Sequence, residues 1–274
     1  MTLGLHARRL RGTGARTFLS DKNVRAPVPF SEFQISAERL TIWKDCMAET
    51  WHLLQGGPRA AAANMALDEA LLWLAARGDQ PLLRFYSWNE PAASFGYFQK
   101  FAEISRTTPL RPLVRRPTGG GLVPHDSDWT YSLIFPPSHP WYSLQAVQSY
   151  QRLHEWLRAS FARLGTPTEL SPGTPKEVPG QCFVGSEKFD LLGQGQKIAG
   201  AAQRRTRTGL LIQGSIQPGK LRTAKADWQN ALCEEAHARW SVNWAAFEIT
   251  SDLEQIVERL AREKYSQDYY TRKR

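Results

Sequence analysis

Hydrophobic positions recur at two spacings along this chain, which predicts a mixture of helices and strands. Apolar side chains fall three and four residues apart in residues 61–76 and 144–164, the spacing of amphipathic helices. Short aromatic, β-branched and leucine-rich runs predict strands. These runs are residues 51–54, 82–88, 93–97, 114–116, 130–135, 189–192, 197–203 and 210–216.

The C-terminal region predicts helices over residues 224–265, interrupted by a short turn at 240–247. The predicted helix at 144–164 places five large side chains on one face: Tyr150, Leu153, Trp156, Leu157 and Phe161. Helices that cover one face of an antiparallel sheet form an α+β domain. We therefore predict an α+β fold.

The first 46 residues do not share this periodicity. They contain eight Lys or Arg and four Asp or Glu residues, so they carry +4 of the chain's formal net charge of +9. Arginines with few acids resemble a transit peptide, but a start at Met47 is the simpler interpretation. We expect residues 1–46 to be a disordered N-terminal extension and residues 47–274 to form a single domain.

Composition narrows the class of protein. Hydrophobic residues make up 42% of the chain, and it has ten Trp residues, which favours a well-packed globular protein. No apolar run is long enough for a membrane span. Cys46, Cys182 and Cys233 are too scattered for a disulfide framework or a zinc site, so we expect no metal and a reducing cytoplasm. The positive charge suits nucleic acid or an acidic protein partner, but no zinc-finger or basic-zipper pattern accompanies it.

Residues 115–126, RRPTGGGLVPHD, contain the densest candidate chemistry. Glycines let backbone amides approach a ligand closely, and guanidiniums supply fixed donors for a carboxylate or a phosphate. Because Arg115 and Arg116 alternate along a strand, we expect one to face the ligand and the other to form a surface or inter-element ion pair. His125 is expected either to orient a ligand or to be satisfied by backbone hydrogen bonds.

Five segments occur in an order that resembles one protein family. They are NMALDEALL (64–72), LRFYSW (83–88), RRPTGGGLVPHD (115–126), TYSLIF (130–135) and QKIAGAAQRR…LLIQGSI (196–216). Together they resemble the biotin/lipoate protein ligase superfamily, which includes lipoate–protein ligase A. Within it, the CF…FDLL…KIAGAAQ segment is similar to the cysteine-dependent octanoyl-carrier-protein:protein N-octanoyltransferases.

This resemblance implies an α+β fold with a mixed, largely antiparallel sheet flanked by helices and a tunnel for a medium-chain acyl group. It implies that Cys182 attacks an acyl thioester and that the acyl-enzyme is then aminolysed by a lysine of the acceptor. It also implies that Lys197 contacts the acyl carbonyl. The partners would be octanoyl-acyl-carrier protein and small acidic lipoyl domains or glycine-cleavage H protein, with no nucleic acid, no membrane and no cofactor, and the enzyme would be a monomer.

The remaining predicted binding residues are small. Gly119, Gly120 and Gly121 are expected to line the acyl pocket, although a plain hairpin turn would also use them. Ala199 and Gly200, which follow Lys197, would let a ligand approach the backbone closely.

Two positions depart from the transferase pattern. Gln213 stands where the family often has a histidine, so the role of that histidine does not carry over directly. Gly121 is more typical of lipoate ligases, since transferases often have arginine there. The alternatives therefore include an ATP- and Mg²⁺-dependent lipoate–protein ligase that forms a lipoyl-adenylate, and an amidotransferase between two lipoyl domains.

Overall fold

The computed structural model describes residues 48–173, 185–219 and 221–273. In the first half of the chain the elements are β1 (Glu49–Arg59), α1 (Ala61–Leu74), β2 (Leu82–Trp88), β3 (Ala92–Phe95), α2 (Phe101–Thr107), β4 (Leu113–Arg115), β5 (Val123–His125) and β6 (Trp129–Phe135). A single turn of 3₁₀ helix, Ala75–Arg77, extends α1.

The second half continues with α3 (Pro140–Ser143), α4 (Ala146–Arg163), β7 (Glu169–Leu170), β8 (Leu191–Gly193), β9 (Gln196–Thr206) and β10 (Gly209–Ile216). It ends with α5 (Lys225–Trp240), β11 (Val242–Ala246), α6 (Ser251–Leu260) and α7 (Asp268–Thr271). A wide π-helical turn, Ala261–Tyr265, joins the last two helices.

The main sheet of the described residues has the strand order β11-β1-β2-β6-β10-β9-β8-β7. β1 pairs in parallel with both β11 and β2, and every later pairing is antiparallel. The predicted α+β class with a mixed, largely antiparallel sheet is therefore confirmed. The predicted hairpin of β8 and β9 is also present.

A second, three-stranded sheet has the order β4-β3-β5. β3 runs parallel to β4 and antiparallel to β5, and the glycine-rich segment connects β4 to β5. This small sheet holds both ends of the glycine loop, and so it fixes the position of the loop against the main sheet.

Both faces of the main sheet are covered by helices. Successive residues of β10 illustrate this, because Leu210 and Ile212 join the core under α4 and α5, whereas Leu211 joins the core under α1 and α6. The pleat of a strand sends alternate side chains to opposite faces. The expectation that helices cover one face is thus wrong: the long apolar runs belong to strands that are buried on both faces.

The predicted amphipathic face of α4 is largely confirmed. Leu153, Trp156, Leu157 and Phe161 are completely buried against the sheet and α5. Tyr150 is only half-buried and reaches the edge of a pocket instead. The helix starts with a capping box, in which the Gln145 amide donates to Oε1 of Gln148 at 2.9 Å.

The expected turn at 240–247 is a strand. β11 extends the main sheet at the edge of β1, with Val242 opposite Glu49 and Ala246 opposite Leu53. β11 does not show a clear alternation of buried and exposed residues, since only Val242 is fully buried. The helix α2 was not predicted at all, because it is short and buries only Ile104.

Several expectations concern residues outside the described ranges. They are the disordered extension 1–46 with Cys46, part of the proline-rich segment, and Cys182. No described helix combines the length and apolar character that crossing a membrane requires.

His154 should make the fold sensitive to acid. Its ring is completely buried, with Nδ1 bonded to the Tyr150 carbonyl at 2.9 Å. Burial lowers the pKa of this imidazole from 6.5 to about 4. The folded protein therefore keeps His154 neutral in a range where the unfolded chain binds a proton, so stability is lost as pH falls from 6.5 towards 4. We expect this group to remove about 2 kcal/mol between pH 7 and pH 5.

Urea unfolding of the wild type and of His154→Gln at both pH values measures this contribution. The variant should lose less stability than the wild type over the same interval, because its side chain does not titrate. Identical losses in the two proteins would contradict the assignment to His154.

Candidate active site

A pocket of about 150 Å³ lies between the main sheet, the small sheet and the glycine loop. This is about the size of an engineered cavity that binds benzene. One part of its wall is apolar or aromatic, formed by Met65, Tyr86, Trp88, Val123, Ala201 and Ala202. The other part carries polar side chains, among them Ser94, Arg116, His125, Lys197 and Gln213. The pocket thus pairs an apolar lining with a few directed polar groups, as ligand sites do.

Arg116 fixes the glycine loop through hydrogen bonds to backbone carbonyls of the loop itself. Its guanidinium donates to the carbonyls of Gly119 at 2.7 Å and Gly121 at 2.6 Å, and to the Ser94 carbonyl at 3.1 Å. Gly120 lines the pocket with a φ of 81°, a conformation that glycine adopts without strain. Its carbonyl would lie 1.9 Å from a Cβ on Gly96, so the end of β3 also needs glycine. The loop is therefore a rigid wall of the pocket.

The structure separates the two arginines, and the one outside the pocket has other partners than those expected. Both are buried, and only Arg116 lines the pocket. Arg115 binds backbone carbonyls on two segments, those of Tyr97 and Gln99 at 2.7 Å each and that of Thr271 at 2.9 Å. Its guanidinium thus links the C-terminal helix to the small sheet. The sequence had predicted that this arginine would contact a ligand or form an ion pair.

Some of the small residues that were predicted to bind the ligand line the pocket, and others do not. Gly200 and Gly120 line the pocket, whereas Gly119 lines a separate shallow groove beside Phe98 and Arg204. Ala199 is completely buried in the core under α4 and α5 and does not line the pocket.

Lys197 enters the pocket wall as one half of a buried ion pair. Its Nζ lies 2.7 Å from Oδ2 of Asp190, and the lysine side chain is 6% exposed. Asp190 also accepts hydrogen bonds from the Tyr150 hydroxyl and from the Glu187 amide, the latter at 2.6 Å. The carboxylate is therefore surrounded by donors and holds the ammonium in one place.

Gly200 makes room for this lysine. A Cβ at Gly200 would lie 2.9 Å from Cε and 3.0 Å from Nζ of Lys197. The side chain of Lys197 therefore folds back over the backbone three residues later in the strand. This contact explains why glycine follows the lysine at this spacing in KIAG.

Gln213 occupies the place of the family histidine and is fully hydrogen-bonded. Its Oε1 accepts from the Thr118 hydroxyl at 2.7 Å, and its Nε2 donates to Oδ2 of Asp68 at 2.7 Å. Asp68 in turn binds Arg84 at 2.5 Å, with both side chains completely buried. Gln213 thus links the glycine loop to α1. The sequence did not predict the roles of Asp68 and Arg84. Hydrophobic periodicity assigns both positions to the core, and it does not show that the two side chains pair there.

His125 also lines the pocket, within side-chain hydrogen bonds. Its Nε2 lies 2.8 Å from Oγ of Ser94, and its Nδ1 lies 2.8 Å from Oδ2 of Asp128. The expectation left open a ligand role or backbone bonds, and the structure places side-chain partners on both nitrogens. Ser94 and Asp128 were not predicted as site residues.

Cys182 itself lies outside the described residues, but the flanks of its segment meet beside the pocket. The Ser171 amide donates to the Asp190 carbonyl at 2.8 Å, and the Ser171 and Ser186 hydroxyls are 2.7 Å apart. Glu187, five residues after Cys182, lines the pocket. The role of Cys182 as nucleophile stays a prediction. Among the described residues, no cluster of three His, Cys, Asp or Glu side chains could hold a metal ion.

Comparison with known proteins identifies the family. Residues 60–218, more than half of the chain, match the family model of the lipoyl protein ligase A/B catalytic domain. The chain belongs to this family. The five sequence segments on which the resemblance was based all lie within the matched residues.

Relatives of this chain within the lipoyl ligase family include octanoyltransferases. The chain is 38% identical over 183 residues to octanoyltransferase LipM of Staphylococcus aureus, covering 62% of this chain and 66% of that protein. It is 36% identical over 181 residues to octanoyltransferase LipM of Bacillus subtilis, covering 61% of this chain and 65% of that protein. The match therefore spans just under two thirds of the length of these curated relatives.

Solved structures of the family share the fold. A lipoate-protein ligase A bound with ATP superposes with a TM-score of 0.67 and 22% identity, covering 81% of this chain and 98% of that chain. A bi-partite lipoate protein ligase of Thermoplasma acidophilum, described with its E2 lipoyl domain, gives a TM-score of 0.62 and 21% identity, covering 81% and 96% of the two chains.

Cys233 should be inert as a thiol. It is the free cysteine of the described residues, and burial raises its thiol pKa to about 12, with Glu234 adding to the rise. Since the thiolate is the reactive form, we expect iodoacetamide to leave Cys233 unmodified in the native protein at pH 8. Peptide mass spectrometry locates the label, and protein unfolded in urea is the control. Equal labelling of Cys233 in native and unfolded protein would contradict this.

Proposed function

We propose that this protein transfers an octanoyl group from acyl-carrier protein, through a thioester on Cys182, to one lysine of a lipoyl domain or of glycine-cleavage H protein. The observation that carries the proposal is the ammonium of Lys197, held by Asp190 in the wall of a pocket with an apolar lining. The apolar side would line the chain of an acyl group, and the ammonium would be a donor for its carbonyl oxygen.

The reaction divides into two steps of the same chemistry. The thiolate of Cys182 attacks the carbonyl of the octanoyl thioester, and the carrier thiol leaves. The acceptor amine then attacks the new thioester, forming the amide and releasing the cysteine. Negative charge develops on the acyl oxygen in both steps, and a fixed cation stabilises it more in the transition state than in the ground state.

Several features support transfer over ligation. The relatives at 36–38% identity are octanoyltransferases, whereas the ligase structures at 21–22% identity inform the fold alone. The net charge of +9 suits small acidic partner proteins, which it would attract by long-range electrostatics. A free thiol nucleophile also fits a reducing cytoplasm.

The test is a transfer reaction without ATP. The full chain is incubated with octanoyl-carrier protein and an apo lipoyl domain, and intact mass spectrometry follows enzyme and acceptor. We expect a transient octanoyl-enzyme and an acceptor heavier by one octanoyl group, and we expect Cys182→Ala to give neither. Cys233→Ala is the matched control and should transfer at the wild-type rate. Lipoylation that requires ATP and free lipoate, with no transfer from the carrier, would overturn the proposal.

A further inference from the structure

A shallow groove beside the pocket holds two cations against one tyrosine ring. The groove has a volume of about 220 Å³ and is lined by Tyr97, Phe98, Pro117, Gly119, Gln203 and Arg204. Arg204 Nη1 donates to the Pro117 carbonyl at 3.4 Å, and Cζ of the same guanidinium lies 5.6 Å from the centre of the Tyr97 ring. Lys273 Nζ lies 3.5 Å from the centre of that ring. A tyrosine ring attracts a cation without neutralising it, so the groove keeps its positive charge.

Neither cation of the groove is paired with a carboxylate in the part of the chain that the structure describes. None of the ion pairs formed there includes Arg204 or Lys273. The neighbouring Lys264 differs, because Glu69 binds its ammonium at 2.6 Å. Burial lowers the pKa of Lys273, and repulsion from Arg115 and Lys264 adds to the decrease. Positive charge is therefore concentrated at the groove, which favours an anionic ligand.

The groove continues from the pocket along two segments of chain. Gly120 of the glycine loop lines the pocket, and Gly119 before it lines the groove. On β9, Ala202 lines the pocket and Arg204 lines the groove. A Cβ on Gly119 would have no described heavy atom within 4 Å, so the groove is open over this residue. A long, flexible ligand can therefore extend from the groove, over the glycine loop, into the pocket.

The distance along β9 selects among anionic ligands. Nζ of Lys197 lies 3.0 Å from the position of a Cβ on Gly200, so Gly200 marks the place of the ammonium. Arg204 is four positions after Gly200, which puts their Cα atoms about 13 Å apart in a strand. The side chain of an acceptor lysine spans only about 6 Å from Cα to Nζ. A carrier protein instead holds its acyl group on 4′-phosphopantetheine, whose phosphorus and sulfur are about 15 Å apart when this arm is extended.

From this geometry we infer that the groove binds the phosphodiester of the carrier's 4′-phosphopantetheine arm, with Arg204 and Lys273 as the phosphate-binding residues. The inference rests on the proposed function, in which Lys197 contacts the acyl carbonyl, and it identifies where the donor binds. A phosphate at Arg204 lets the extended arm bring its thioester to Lys197. The guanidinium supplies N–H donors in a fixed geometry for phosphate oxygens, and Tyr97 and Phe98 supply apolar contacts for the arm.

The two half-reactions distinguish this arm from another source of negative charge, the carboxylates of an acidic acceptor domain. Binding of the arm affects the formation of octanoyl-enzyme, because the arm leaves with the carrier thiol before the acceptor reacts. Docking of the acceptor affects the aminolysis that follows. A loss confined to the formation of octanoyl-enzyme therefore supports the arm as the occupant of the groove.

The experiment compares two small donors that differ by one phosphate, octanoyl-4′-phosphopantetheine and octanoyl-pantetheine. The full chain is mixed with each donor over a range of concentrations in single turnovers, and intact mass spectrometry measures octanoyl-enzyme. We expect the wild type to reach half of its maximal rate at an about tenfold lower concentration of the phosphorylated donor. Arg204→Gln and Lys273→Met should each reduce this preference, and the double variant should remove it. Because the readout is a ratio between donors, a general loss of activity does not change it.

Octanoyl-carrier protein is the third donor. The double variant should need an about tenfold higher concentration of it for half-maximal loading, while aminolysis of the isolated octanoyl-enzyme by an apo lipoyl domain keeps its dependence on acceptor concentration. The single variants decide the question if the double variant does not fold.

The matched control is Arg205→Gln. Arg205 is the next residue of β9 and is exposed, but its guanidinium lies 6.0 Å from the centre of the Tyr142 ring and does not line the groove. This variant should keep the donor preference of the wild type.

Four results would overturn the inference. Equal use of the two small donors by the wild type would do so, as would loading from the carrier protein with none from either small donor. Variants that keep the donor preference would show that the phosphate binds elsewhere. Variants that load normally and slow only aminolysis would assign the groove to the acceptor domain. Each of these leaves the proposed function standing, whereas a wild-type protein that forms octanoyl-enzyme with none of the three donors removes the proposed function and this inference together.

Discussion

Replacing Lys197 with methionine should lower the rate of octanoyl transfer by about 10²–10³. Methionine keeps an unbranched side chain of similar reach but lacks the ammonium that lies 2.7 Å from Asp190. Removal of one donor to a developing oxyanion has an effect of this size. The rate of each half-reaction, followed by mass spectrometry with saturating octanoyl-carrier protein, measures the loss.

The effect should fall on kcat in both half-reactions, since each develops charge on the same oxygen. Lys188→Met is the matched control, because Lys188 lies in the same segment but is exposed. It should retain the wild-type rate. Asp190→Asn should give a smaller loss than Lys197→Met, because the ammonium remains but is held less firmly. A Lys197→Met enzyme with wild-type kcat would contradict the role of the lysine.

The family resemblance predicted a role for Lys197, through the KIAG motif, but it did not predict the groups that hold this side chain. The role of Lys197 stays a prediction, whereas its ion pair with Asp190 is a contact of the structure. Asp190 is only seven residues away, yet the contact depends on the β8–β9 hairpin and its irregular register. Tyr150 comes from α4, where helical spacing predicts only that an aromatic residue faces the core. Contacts between different helices and strands depend on how these elements pack, and the spacing of residues along the chain does not predict that packing.

The same limit explains which parts of the fold were predicted. Strands such as Leu82–Trp88 were predicted with the correct bounds, because an apolar run flanked by a turn is a local signal. β11 was missed because it is an edge strand with one fully buried residue. The parallel pairing of β1 with β11 joins positions almost 200 residues apart. The hydrophobic periodicity of either segment does not predict such a pairing.

Arg115 and Arg116 show why the predicted site was only partly assembled. Alternation along a strand correctly separated the two side chains, and Arg116 is the one at the pocket. Alternation does not say what the other side chain meets, and Arg115 meets the carbonyls of the C-terminal helix. Of the three predicted glycines, Gly120 lines the pocket. The motif therefore located one wall of the pocket without fixing the contacts of the charged residues beside it.

The largest expected effect on stability comes from Asp68→Ala. Asp68 is completely buried and binds Arg84 at 2.5 Å, Ser132 at 2.8 Å and Gln213 at 2.7 Å. Its removal leaves the Arg84 guanidinium, which is also completely buried, without its carboxylate. Breaking one side of a buried ion pair costs about 3–5 kcal/mol. We expect urea unfolding to show a loss of this size in the free energy of unfolding, with Asp79→Ala, an exposed aspartate in the loop after α1, unchanged.

A double variant tests whether the loss comes from the unpaired charge. Asp68→Leu combined with Arg84→Met removes both charges and keeps apolar volume, and such replacements are often neutral. It should therefore be more stable than Asp68→Ala. The single variants Asp68→Leu and Arg84→Met complete a double-mutant cycle that gives the coupling energy. Because Asp68 also orients Gln213 towards Thr118 of the glycine loop, the double variant should fold and still transfer octanoyl more slowly. A stable Asp68→Ala protein would show that Arg84 finds another partner, and the ion pair would then not be what fixes α1 to the sheet.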